Sequence, residues 1–271
     1  MAVVDRPASV SNLIIKSAEM ERDGNLKCGI LASSSHPNAT ISDVVVQGTI
    51  ESTGSGAHSI VVGGAVGEYR GTATDLKVIV DINVVDAGTT ASVGGAIGTV
   101  GGAEIKEITY SSYNGSITMP TGQFSHSAKI GGFTSQLSGN GISKCFAHVN
   151  NTIVANAANF ISAGGFVAYV SDDPSELDNC YAFADIGYCQ SGANNAKVGG
   201  FIGYIDGGGS IGLKHAYCVG AIDVGNDEYG GFCGVNDGYG GFNSCFYDYG
   251  RAGTRTSDGG TWKTQAEMKT K

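Results

Sequence analysis

A short pattern of apolar and polar positions returns along most of this chain. It reads apolar, two polar residues, a small or aliphatic residue, then usually an aromatic or β-branched one. Copies start at Ile41, Leu76, Ile105, Ile142, Leu177, Leu213 and Phe242, and most continue to a later isoleucine: Ile50, Ile82, Ile117, Ile153, Ile186 or Ile222. Short β-branched and aromatic runs set between Gly, Asn and Asp clusters predict strands and turns. Between the copies a double glycine precedes an apolar residue: Gly63-Gly64-Ala65, Gly94-Gly95-Ala96, Gly131-Gly132-Phe133, Gly164-Gly165-Phe166, Gly199-Gly200-Phe201 and Gly230-Gly231-Phe232. The intervals are 31, 37, 33, 35 and 31 residues, and Cys28-Gly29-Ile30 is a weaker copy upstream.

Self-similarity at this period predicts a stacked repeat architecture. The expectation is an all-β, parallel β-solenoid (β-helix) of about seven coils. Propeller blades need about 40 or more residues, so these units are short for that alternative. Glycine has no Cβ, so each pair permits positive φ and close backbone approach at a coil corner. The fourth pattern positions, Val44, Ile79, Ile108, Cys145, Cys180, Ala216 and Cys245, are expected to stack inside the solenoid. Stacked at about 4.8 Å, seven coils predict a body on the order of 35 Å long.

Residues 1–27 break the repeat and form the expected N-terminal cap or attachment segment, with Leu13-Ile14-Ile15 as a cap strand. Residues 28–247 are the solenoid and 248–271 a C-terminal cap. There, Thr264 and Glu267 have capping-box spacing, and the single tryptophan, Trp262, is expected to plug the core.

Composition narrows the function. Glycine supplies 44 of 271 residues but proline only four, so this is no disordered linker. A net charge of −9 excludes a phosphate-neutralising nucleic-acid surface. The apolar stretches are too short for a membrane-spanning helix, and the first residues lack the pattern of a secretory signal peptide. Seven cysteines without a CxxC spacing read as buried filler rather than a zinc or redox motif.

The later units carry a resemblance. Gly199-Gly200-Phe201-Ile202-Gly203-Tyr204 and Leu177-Asp178-Asn179-Cys180-Tyr181-Ala182 resemble the GLUG-motif repeats of large bacterial surface proteins. The segment from Cys245-Phe246-Tyr247-Asp248 to Lys263-Thr264-Gln265-Ala266-Glu267-Met268-Lys269 looks like the one that closes such arrays. In the early units alanine follows the glycines and the Cys-Tyr pair is missing. The resemblance implies a parallel β-solenoid in an adhesin-like setting and carries over no catalytic residue. For a chain of this size it points to a phage tail-tip or fibre protein as well as a bacterial surface module.

The expected function is therefore a non-enzymatic, extracellular adhesin or receptor-binding module, on a virion tail or a bacterial surface. Its partner would be a host-cell glycan or surface protein, with no cofactor. A larger fibre assembly or a homo-oligomer is left open, without coiled-coil heptads to support a trimer. The binding candidates are Tyr169, Tyr204, Asn236, Asp237, Tyr239, Tyr247 and Tyr249, since tyrosine gives a rigid amphipathic contact. The competing reading makes these rings an external stacking ladder. Asp172, Asp173 and Glu176 are the metal candidates, against a solvated turn. The alternatives are a polysaccharide-degrading β-helix enzyme, for which Asp81, Asp185, Asp223 and Asp248 are the scattered carboxylates, and a purely structural spacer.

Overall fold

The computed structural model describes residues 8–22, 26–52, 59–84, 88–101, 107–119, 124–139, 141–171, 174–192, 195–223 and 228–269. It is a parallel β-solenoid, 66% strand and 4% helix. One coil shows the plan. Ser127–Gly131 lies in sheet I, the double glycine turns the corner, and Thr134–Ser138 lies in sheet II. Gly141–Ser143 and Phe146–Val149 follow in sheet III, and Ile153–Ala157 leads back to Phe160–Gly164, in register one level on. Among the described residues sheets I and II have seven strands each and sheet III fifteen. Seven stacked strands enclose about six turns, one fewer than the unit count predicts, because turns are the intervals between strands.

The glycine pairs serve close approach alone. Among the described glycines only Gly139, Gly253 and Gly260 have positive φ, so the pairs do not use the left-handed region. A Cβ on Gly131 would lie 1.9 Å from the Thr134 carbonyl oxygen within the same corner. One on Gly132 would lie 2.1 Å from the Gly165 oxygen of the next coil. The first glycine lets the chain turn; the second lets the coils stack.

The left-handed residues lie elsewhere. Asn12 and Ser17 of Ser9–Arg22, and Asp43, Asp75, Tyr110, Lys144, Asn179, His215 and Ser244, all have φ between 50° and 55°; the last seven stand one per coil in sheet III. Asn, Asp and His tolerate this conformation, whereas Tyr110 and Lys144 hold it against their preference because the stacked coils impose it. The bend turns the following residue inward, giving a buried column of Val44, Leu76, Ser111, Cys145, Cys180, Ala216 and Cys245. Two expected members are corrected. Leu76, not Ile79, pairs with Val44, and Ile79 is 45% exposed. Ile108 occupies the first pattern position, beside Ala73 and Ile142, and Ser111 takes the column. Aliphatic runs offer two frames three residues apart, and the bend chooses between them. Ile105 lies outside the described residues. The later isoleucine column is as the pattern predicts: Ile50 pairs with Ile82, Ile82 with Ile117, and Ile153 with Ile186, which bridges to Ile222.

Ser111 and the cysteines share one job in the column. The Ser111 hydroxyl donates to the Thr109 oxygen at 3.0 Å, and the Cys145 thiol donates to the Ser143 oxygen at 3.1 Å. Cys180 and Cys245 repeat the bond to the residue two before. All seven cysteines are buried. Burial pushes the Cys145, Cys218, Cys233 and Cys245 thiols up, away from the reactive thiolate. A thiol reagent at pH 8 should find almost nothing in the native protein and seven equivalents after denaturation. Stoichiometric labelling of the native protein would contradict this core.

Core volume is balanced across the coils from Ala65 to Phe201. Opposite the corner runs a column of Val78, Tyr113, Ala147, Ala182, Cys218 and Tyr247. Where alanine follows the glycines (Ala65, Ala96), the facing residue is the larger Val78 or Tyr113. Where phenylalanine follows (Phe133, Phe166, Phe201), the facing residue is Ala147, Ala182 or Cys218. Phe133, Phe166, Phe201 and Phe232 form an internal stack with centroids 4.9 Å apart at each step. The last level departs from this compensation: Phe232 follows the glycines there and the facing residue is the large Tyr247.

Both ends carry added rungs. Ser9–Arg22 pairs in parallel with Thr40–Ser52, so the expected cap strand is itself a rung of sheet III. At the other end Thr261–Lys263 pairs with Phe246–Asp248. Thr264 caps a single helical turn, Gln265–Met268, with its hydroxyl accepting from the Glu267 amide and the Glu267 carboxylate accepting from the Thr264 amide. The plug of the aromatic stack is the 257–260 loop: a Cβ on Gly260 would lie 2.7 Å from Phe232 Cγ. Trp262 is 38% exposed instead, packed edge-on against Tyr249 beneath Arg255.

Candidate functional site

Sheets I and II present their outer faces to one another. In parallel register, the outward positions of sheet I are Lys27, Val61, Ser92, Lys129, Ser162 and Lys197. Those of sheet II are Glu68, Thr99, Gln136, Tyr169 and Tyr204. The tight corner brings the two rows within contact. Lys27 pairs with Glu68, Lys129 Nζ donates to Gln136 Oε1 at 3.1 Å, and Ser162 Oγ donates to the Ala168 oxygen. The result is a line of hollows along the solenoid axis, of about 270, 700 and 530 Å³.

The hollow toward the C-terminus, of about 530 Å³, has the richest chemistry. Phe160 meets Tyr169 edge-on at 6.2 Å and lies 5.9 Å from Tyr204. Lys129 Nζ lies 3.7 Å from the Tyr169 ring centroid, and Lys197 pairs with Glu228. The Tyr169 hydroxyl donates to Asp206 Oδ2, and the Gly207 amide donates to Asp206 Oδ1 at 2.8 Å. The Tyr204 hydroxyl is 2.9 Å from Asp237 Oδ2 and 3.3 Å from Asp206 Oδ1. The bond from Tyr169 leads in holding the Asp206 carboxyl below the usual carboxylate range. Burial, helped by Asp237, pushes the Tyr204 hydroxyl well up. These groups are fixed acceptors and donors beside apolar ring surface, the make-up of a polar-ligand site.

Of the sequence candidates, the structure gathers Tyr169, Tyr204 and Asp237 here. Asn236 pairs with Ile205 on the inward side of the last rung, its Oδ1 buried without a hydrogen-bond partner. Tyr239 is 77% exposed on the edge of sheet III, outside the hollow. Tyr247 is corrected outright: it is 1% exposed and packs under Gly231 in the core, so it offers no surface to a ligand. Tyr249 belongs to the Trp262 cap. The proposed ladder exists but uses other rings, Phe146, Tyr181 and Tyr217, stacked 5.1 Å apart on the outer face of sheet III.

Asp172 and Asp173 lie outside the described residues, and Glu176 is an exposed residue of Pro174–Asp178. Among the described residues no group of three metal-ligating side chains occurs. Three of the scattered carboxylates hold backbone: Asp81 accepts from the Ser116 amide, Asp185 from the Ala221 amide and Asp248 from the Gly250 amide. Lys129, Phe160, Lys197 and Asp206 were not among the candidates. A signal existed, since Lys129 and Lys197 both stand two residues before a double glycine, and Tyr169 and Tyr204 both four after its second member.

No family model and no curated protein matches this sequence, so the functional reading rests on the site itself.

Proposed function

We propose that this chain is a non-catalytic, adhesin-like binding module that takes an extended surface glycan along the groove between sheets I and II. The observation that carries the reading is the cluster of Phe160, Tyr169 and Tyr204, with both hydroxyls anchored on Asp206 and Asp237. Ring surface takes the apolar faces of sugar units, and the carboxylates accept from their hydroxyls. The rigid coil stack holds these groups in place before a ligand arrives, which lowers the entropy cost of binding. A groove along the axis suits a polymer better than a compact metabolite. The GLUG-like repeats support the same setting: the surface of a bacterium, or the tail of a virion that meets one.

Whole host-type cells and their extracted surface glycans are the test. The wild-type protein is expected to be retained without release of new reducing ends. Tyr204→Ala should weaken retention about tenfold or more, as loss of a central aromatic contact does. Equal retention of the variant, or product release by the wild type, would refute the reading.

A further inference from the structure

The cations of the groove are not equivalent. Lys27 and Arg70 both pair with Glu68, and Lys197 pairs with Glu228. Lys129 makes no ion pair among the described residues. Its ammonium bonds to the neutral Gln136 amide oxygen and lies against the Tyr169 ring. Asp206 acts on it through space, pulling its pKa upward against the larger downward effect of burial. A half-buried ammonium held by neutral partners carries a desolvation cost that a bonded anion would offset.

Building on the proposed glycan reading, we infer that the groove selects glycans bearing isolated acidic groups, and that Lys129 receives one carboxylate of the ligand beside the Tyr169 ring. Asp206, Asp237 and the Lys197–Glu228 pair surround that point, so room exists for one negative charge and not a dense row. The chain's net charge of −9 acts in the same direction, repelling polyelectrolytes while a sparsely acidic polymer approaches. Lys129 thus sets specificity, and the aromatic cluster supplies the contact common to all ligands.

The test compares a uronate-containing polysaccharide with its carboxyl-reduced counterpart, both immobilised, against the wild type, Lys129→Met and Lys129→Arg. Lys129→Met keeps an apolar stem against Tyr169, and its unfolding midpoint is measured alongside. The wild type should prefer the acidic polymer by about tenfold, the scale of a charged hydrogen bond. Lys129→Met should lose that preference, binding the two polymers alike, and Lys129→Arg should keep much of it. If the wild type binds both polymers equally, or Lys129→Met keeps the preference, the inference fails and the glycan reading stands. If the wild type binds neither polymer, nor the surface glycans, both fail.

Discussion

Gly165→Ala should unfold the array from its middle. The added Cβ would sit 2.2 Å from the Gly200 carbonyl oxygen of the next coil, and 3.3 Å from the Ala182 Cβ across the core. The first contact is with backbone, so no side chain can rotate away. Relief requires opening the spacing between coils, yet that spacing is fixed on both sides of the corner by the pairings Gly164 with Gly199 and Val167 with Ile202. Stability in a repeat array is carried by nearest-neighbour interfaces, so a wedge at one level weakens both flanks. We expect a loss above about 4 kcal/mol, in the range reserved for strain and broken core packing. The control is Gly212→Ala. There the nearest atom is the flexible Glu176 Cγ at 3.9 Å, and a change within about 1 kcal/mol, even a gain, is expected. Urea unfolding followed by circular dichroism separates the two. Similar midpoints for both variants would mean the corner is not packed as described.

Phe166→Ala should have the next largest effect. Its ring is fully buried and stacked at 4.9 Å on Phe133 above and Phe201 below, with interplanar angles of 10° and 2°. Truncation leaves a hole that neither neighbour can fill, since the facing residue is only Ala182. The expected cost is about 3–5 kcal/mol. The compensation between corner and facing residue gives a sharper check. Ala96→Phe should destabilise, because the Tyr113 ring already occupies that level. Ala96→Phe with Tyr113→Ala should recover much of the loss by copying the Phe133 and Ala147 arrangement. Additive losses in the double variant would contradict the assignment of these two residues to one volume.

The two sets of coils differ in sequence for this reason. Gly-Gly-Ala units place bulk on sheet III, and Gly-Gly-Phe units place it at the corner, except the last, where Phe232 and Tyr247 are both large. The facing column could not be aligned from sequence, since the aliphatic run from Leu76 to Val80 fits two frames. The left-handed bend at Asp75 breaks the tie, and it leaves only a polar residue as its trace. At Tyr110 and Lys144 even the residue type gives no hint, because the stack imposes a conformation those residues do not favour.

The candidate site was legible to a similar depth. Tyr169 and Tyr204 recur at the coil interval, so their alignment on one face was readable. That Lys129 and Phe160 reach them was not, because those residues precede the glycine pair and face away from the core in a different sheet. Tyr247 shows the converse error: its neighbours suggest an exposed aromatic, yet the alternation of its strand turns it inward.

What the sequence determined by itself was periodic. A recurrence of glycine pairs, isoleucines and small buried residues requires stacking, since one unit cannot bury its own apolar face. The tertiary structure alone decided which outward residues meet. That depends on the angle at the glycine corner, which folds two polar faces into one groove, and an angle leaves no period in the sequence.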